Sequence, residues 1–147
     1  MKAHSLVALI VLCCISCAAI QERLAVRECT FALVSVKPHD FTFNNVQVDF
    51  KIEGKNPNKV DAVIDKFTYT FFVNNTDVFA GTTGKGITIP KQGATDFVTS
   101  ILLDYSKLSQ TIIEVLKTQQ ASYTVKARAY ISTILGEISY PVEITLD

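Results

Sequence analysis

Few side chains in this sequence could do chemistry. Of its four cysteines, Cys13 and Cys14 lie in an apolar run from Leu6 to Ile15, Cys17 ends the stretch Cys14-Ile15-Ser16-Cys17, and Cys29 stands alone. One leftover cysteine gives no disulfide framework. Cys29 is expected to be a small apolar core residue with an inert thiol, the alternative being a reactive one. His4 precedes the apolar run, which leaves His39, between Pro38 and Asp40, expected on a surface loop. A lone histidine cannot build a His-rich metal site, and Cys29 is too isolated to help it. A Ser–His–Asp arrangement needs three side chains brought together, and no serine sits in a nucleophile-elbow sequence. The run Gly81-Thr82-Thr83-Gly84-Lys85-Gly86 invites a phosphate-loop reading, but its spacing is wrong and Ile87-Thr88-Ile89-Pro90 reads as a strand where a helix is needed. Asp61 and Asp65 are four apart in a region that is not helical, so both are expected to be solvated. These residues imply no enzyme, no metal and no cofactor.

The N-terminus carries a different chemistry. Met1-Lys2-Ala3-His4 is followed by the apolar run and then by Ser16-Cys17-Ala18-Ala19. A membrane-spanning helix needs roughly 20 apolar residues, and the stretch from Leu6 to Ile20 has 15. A charged start, a short apolar stretch and a small-residue exit fit an export signal. Cys14-Ile15-Ser16-Cys17 resembles the bacterial lipobox, with Cys14 where leucine is usual. Residues 1–16 are therefore expected to be a signal peptide, Cys17 the lipid-attachment residue, 17–25 a tether and 26–147 the folded domain. The alternatives are simple secretion, with cleavage after Ala18 or Ala19, and an uncleaved short anchor. Asn74-Asn75-Thr76 matches a glycosylation acceptor, but a lipobox points to a bacterium and discounts it.

Without residues 1–16 the chain has 131 residues, with 13 basic and 14 acidic side chains. That is one domain able to bury a core, and no basic stripe marks a nucleic-acid partner. Its pattern has mostly period two. Val46, Val48, Phe50 and Ile52 alternate with polar residues, as do Phe67, Tyr69, Phe71 and Val73. Asn74-Asn75-Thr76-Asp77 supplies turn chemistry and Val78-Phe79-Ala80 the returning strand. Tyr123 to Ile131 and Ile138 to Leu146 form the last alternating sets, with Gly136 between them. Pro141 suggests that the last strand is an edge. One segment, about Tyr105 to Lys117, has helical spacing at Leu108, Ile112, Val115 and Leu116, with Asp104 or Ser106 as candidate caps. About seven strands and one short helix favour an antiparallel two-sheet β-sandwich. With no tryptophan and no matching cysteine pair, its core must rest on Phe, Tyr, Val and Ile.

The stretch Val48-Asp49-Phe50-Lys51-Ile52-Glu53-Gly54-Lys55-Asn56-Pro57-Asn58 resembles the strand and Asn-Pro-Asn signature of the group 2 late embryogenesis abundant proteins, with their water stress and hypersensitive response domain. The order that follows is similar: Phe67–Val73, Val78-Phe79-Ala80-Gly81, Ile87-Thr88-Ile89-Pro90, Phe97–Leu103, Asp104-Tyr105-Ser106-Lys107-Leu108, Tyr123-Thr124-Val125 and the closing Gly136–Val142 segment. The likeness covers roughly residues 26–147. It implies a fibronectin-like β-sandwich with one helix, often with a lipoprotein signal in bacterial members.

Physically, Pro57 fixes its own backbone and pushes Asn56 toward extended geometry. Asn56, Pro57 and Asn58 are thus expected to be a structural strand exit, with a ligand-contacting loop as the lesser reading. The resemblance implies a non-enzymatic, membrane-tethered protein with a protective or binding role in desiccation or osmotic stress. By resemblance to bacterial lipoproteins, Ala18 and not Asp after Cys17 implies the outer membrane, facing the periplasm. The alternative is a periplasmic module that docks an unidentified envelope protein.

Overall fold

The computed structural model describes residues 20–146. Nine strands run in chain order: β1 (Thr30–His39), β2 (Asn45–Asn56), β3 (Ala62–Ile64), β4 (Lys66–Val73), β5 (Thr76–Thr82), β6 (Ile87–Ile89), β7 (Gly93–Asp104), β8 (Tyr123–Thr133) and β9 (Gly136–Leu146). Seven of them form one sheet in the order β5-β4-β8-β9-β1-β2-β7, and β3 pairs with β6 in a short ribbon. All pairings are antiparallel except β1 with β9, where Phe31, Ala32 and Leu33 sit opposite Ile144, Thr145 and Leu146. The chain is thus a mainly antiparallel β-sandwich with one short helix, as expected. Its two layers are the halves of one curled sheet.

Ring contacts show the curl. Three strands separate β4 from β2 in the sheet, yet Phe50 of β2 stacks on Phe71 of β4 at 5.6 Å and meets Tyr69 edge-on at 5.6 Å. Phe67 of β4 likewise touches Phe31 of β1 and Phe97 of β7. The alternation read from sequence supplies these inward faces: Val46, Val48, Phe50 and Ile52 of β2 are buried, as are Phe67, Tyr69, Phe71 and Val73 of β4. Truncating either buried ring, Phe50 or Phe71, to alanine would cost about 3–5 kcal/mol.

Turn chemistry differs between the hairpins. Asn74 and Asn75 take φ values of +48° and +63° between Val73 and Thr76. That is the two-residue geometry whose twist matches the strands, and asparagine tolerates it. The β8–β9 hairpin has Ile134 and Leu135 at its tip, with Gly136 at φ +122°. Only glycine takes that angle readily.

Three expectations need correction. The helical segment between 105 and 117 is two pieces. Asp104 caps a 3-10 turn, Tyr105–Lys107, through Ser106 N. The α-helix proper, α1, is Gln110–Thr118, capped by Ser109 Oγ accepting from Ile112 N. Next, β9 is an interior strand, between β8 and β1. Pro141 is tolerated because it precedes the stretch, Ile144 to Leu146, where β1 pairs. Last, residues 20–25, read as part of a tether, are helical and docked on the domain. Residues 20–24 form helical turns that continue as a 3-10 turn, Ala25–Glu28, with Ala25 and Val26 buried.

Candidate functional site

The Asn-Pro-Asn segment ends β2 and is a closed knot. Asn56 is 2 % exposed. Its Nδ2 donates to the carbonyls of Val60, at 2.9 Å, and Ile89, at 3.0 Å. Its Oδ1 accepts from Asn58 N and Asn58 Nδ2, both at 2.9 Å. Asn58 Nδ2 also reaches Ala25 O at 2.9 Å, and Asn58 O accepts from Gln92 N. The side chain of Asn56 spends both donor hydrogens and both acceptor positions on the protein itself. A strand exit, the β6 ribbon and the N-terminal turn are thereby pinned at one point.

His39 is the last residue of β1, not a loop residue. Its Nδ1 lies 3.0 Å from Asp40 Oδ2 and its Nε2 3.0 Å from Asp49 Oδ2. Nε2 is closed off from solvent and makes no well-aligned hydrogen bond, so the contact with Asp49 is chiefly electrostatic. Ser100 Oγ donates to the other oxygen of Asp49 at 2.5 Å. A serine, an aspartate and a histidine therefore do meet, but in the wrong order for nucleophilic catalysis. There the histidine must sit on the hydroxyl as its base. Here the carboxylate lies between them, and both ring nitrogens face carboxylates. Desolvation pulls the His39 pKa down, but the contacts with Asp49 and Asp40 outweigh it and raise it above 6.5. An imidazole biased toward its charged form is a poor general base. The Ser100 hydroxyl, against some desolvation, holds Asp49 below the usual carboxylate range, helped by His39.

Cys29 is half-buried and its Sγ donates to Ala25 O at 3.4 Å. Burial, with a smaller contribution from Glu28, pushes its pKa up to about 11, the opposite of what a nucleophilic thiol needs. The glycine-rich run is stitched to β4 by Thr83, whose N donates to Phe67 O and whose Oγ1 accepts from Phe67 N. It enters strand β6 and no helix, so no phosphate cradle forms. Asn74 Oδ1 is occupied by the N and Oγ of Ser122.

The two aspartates expected to be solvated are engaged. Asp61 accepts from Lys91 N at 2.9 Å. Asp65 Oδ2 accepts from Arg23 Nη1 and from Ser132 N, each at 2.5 Å. Arg23 and Asp65 were missed because 42 residues separate them. Nothing local in the sequence signals that pair. Beside them lies an apolar groove lined by Ile20, Leu24, Ile134, Leu135, Ile138 and Tyr140. Cys17 lies outside the described residues. Among those described, no cluster of three or more His, Cys, Asp or Glu could hold a metal ion, and no helix is long and apolar enough to cross a membrane.

Comparison with known proteins follows the fold. No curated protein matches the sequence. Among solved structures, AT1g01470 from Arabidopsis thaliana is similar with a TM-score of 0.58 at 17 % identity, over 76 % of this chain and 75 % of that one. At2g46140.1, described as a late embryogenesis abundant protein, is similar with a TM-score of 0.50 at 18 % identity, over 96 % of this chain and 80 % of that one. At such identities the likeness establishes the fold alone. The family model for the late embryogenesis abundant proteins (LEA_2) matches residues 51–146, which takes in the Asn56–Asn58 knot and every strand from β3 to β9. The chain belongs to the late embryogenesis abundant protein family, LEA_2.

Proposed function

We propose that this chain is a non-enzymatic β-sandwich lipoprotein, tethered to a membrane through Cys17, with a protective or binding role in desiccation or osmotic stress. Family membership over residues 51–146 carries the reading. The arrangement of the chemical side chains supports its non-enzymatic part: Asn56 is saturated, His39 is clamped between carboxylates and Cys29 is held as a thiol. The sequence of residues 1–17 supports the tether. The setting is a bacterial envelope, with the domain on the periplasmic side of the outer membrane. Protection would come from a folded surface and not from a disordered shield, because the chain buries a full core.

Two measurements test this. The intact mass of the mature protein should show a diacylglyceryl adduct beginning at Cys17; an unmodified chain starting at Ala19 or Ile20 sinks the tether. A deletion strain should lose viability on drying or osmotic shock and grow normally otherwise; an unaltered survival curve sinks the stress role.

Strand β7 favours a second reading, an envelope interaction module. It is a twelve-residue edge strand paired only with β2 among the described residues, and Val98 and Leu102 are exposed along it. An open edge can accept a partner strand. Stoichiometric recovery of one partner, lost when β7 carries a proline at Thr99, would favour this reading over general protection.

A further inference from the structure

The tip of the β8–β9 hairpin is built from the wrong residues for a turn in water. Turns favour Gly, Asn, Asp and Ser, and this chain uses Asn74-Asn75 for its other tight hairpin. Here Ile134 is 87 % and Leu135 94 % exposed. The turn is nonetheless well made. Thr133 Oγ1 donates to Gly136 O at 2.7 Å and accepts from Leu135 N at 3.2 Å, and Gly136 takes the positive φ. The tip is thus a defined projection with apolar side chains. Single exposed apolar residues are ordinary, but a contiguous patch marks a contact surface. Ile20 and Leu24, four apart on one side of the helical turn, are also exposed and line the same groove, whose floor is Ile138 and Tyr140.

The chain outside the described residues says what covers this face. Ile20 is on the rim of the groove, and in the sequence it follows Cys17-Ala18-Ala19 directly. If Cys17 carries lipid, only Ala18 and Ala19 lie between the anchor and Ile20. Three peptide units reach at most about 11 Å. Arg23 is fixed to Asp65, and Ala25 and Val26 are buried, so the helical turn cannot swing away to lengthen the tether. The anchor therefore holds the Ile20 end of the sandwich at the bilayer surface, and that is the end where the apolar side chains project. We infer that the groove and hairpin tip are a membrane seat: Ile134 and Leu135 enter the lipid interface beside the acylated cysteine and fix the orientation of the domain. This inference rests on the tether proposed above. It adds a second attachment, a protein surface, to the lipid itself.

The opposite end provides an internal control. Strand β9 starts at the hairpin tip, and β1 runs parallel to it and onward. Phe43, just beyond the end of β1 and fully exposed, therefore lies at the far end of the sandwich. The chain contains no tryptophan, so Leu135→Trp and Phe43→Trp each give a single fluorescent reporter at an exposed site that the fold does not need. The full-length acylated proteins would be reconstituted on phosphatidylethanolamine–phosphatidylglycerol vesicles with brominated acyl chains.

The expected result is a blue-shifted Leu135→Trp emission, quenched several-fold more strongly by bromolipid than that of Phe43→Trp. Equal, weak quenching at both positions in protein that floats with the vesicles overturns the seat and leaves the tether standing. An unmodified N-terminal peptide with no flotation overturns the tether, and the seat with it. A blue shift of Leu135→Trp without lipid overturns the seat in favour of a second copy if it deepens with protein concentration. If it does not depend on concentration, it does so in favour of the chain's own N-terminal segment.

Discussion

Arg23 Nη1 lies 2.5 Å from Asp65 Oδ2, and the same carboxylate oxygen accepts from Ser132 N at 2.5 Å. One side chain between β3 and β4 thus holds the N-terminal helical turn against β8, two residues before the tip of the β8–β9 hairpin. Both partners are about one-third exposed, so solvent screens the charge pair and its worth lies in position more than in energy. Burial raises the Asp65 pKa, but Arg23 and Ser132 outweigh it and hold the group below 3.8. The contact is thus complete above 3.8 and is lost as the pH falls through the lowered value. Arg23→Ala should cost about 0–1 kcal/mol of global stability, while amide hydrogen exchange across residues 20–28 accelerates. Asp65→Ala should cost more, about 1–2 kcal/mol, because Ser132 N loses its acceptor too. Equal exchange rates in wild type and Arg23→Ala would show that the pair does not fix the turn.

Asn56 is predicted to be the most sensitive polar position in the domain. Asn56→Ala deletes four hydrogen bonds at a site 2 % exposed and leaves the carbonyl of Ile89 without its side-chain donor. A loss of about 2–4 kcal/mol is expected. Asn56→Asp should be at least as damaging, since it sets a carboxylate oxygen against the carbonyls of Val60 and Ile89. Asn58→Ala, which keeps the two Asn56 donors in place, should cost about 1–2 kcal/mol. Urea unfolding of the three variants checks the order; a ligand-contacting role for the motif would instead leave stability nearly unchanged.

The parts legible in the sequence are those fixed by near neighbours. Alternation at Val46 to Ile52 and Phe67 to Val73 foretells which faces are buried, because side chains in a strand alternate whatever the strand pairs with. The end of β2 at Asn56 is local in the same sense, since Pro57 restricts both itself and Asn56. The parts that escaped depend on distant segments. The parallel pairing of Phe31 with Ile144 decides that β9 is interior, and no pattern within residues 136–146 carries that information. Ser109, and neither Asp104 nor Ser106, caps the α-helix because the helix begins only at Gln110; Asp104 caps the separate 3-10 turn before it. The clamp on His39 needs Asp49 and Ser100, brought alongside by the β1–β2 and β2–β7 registers.

His39 gives a pH dependence with a definite sign. Its contacts with Asp40 and Asp49 favour the imidazolium and raise its pKa above 6.5. A raised basic group contributes stability in full below 6.5, and that contribution is lost as the pH rises through the raised value. The melting temperature of wild type should therefore exceed that of His39→Gln at pH 6 and approach it at higher pH. Because the side chains of His39 and Asp49 are each about one-third exposed, added salt should shrink the difference. A gap between the two proteins that is constant with pH would mean that His39 acts through packing and not through charge.

The thiol of Cys29 should behave as its surroundings dictate. It is half-buried, donates to Ala25 O, and titrates at about 11 because burial and Glu28 both disfavour the thiolate. Thiolate is the reacting species in alkylation, so almost none is present at pH 7. Iodoacetamide labelling of Cys29, followed by peptide mass mapping, should be far slower than labelling of a free thiol at neutral pH. The rate should climb steeply as the pH approaches the titration. Glu28→Gln removes the smaller of the two causes and should raise the neutral-pH rate modestly, leaving desolvation in control. Rapid labelling at pH 7 in the folded protein would contradict the buried-thiol assignment and reopen the reactive alternative.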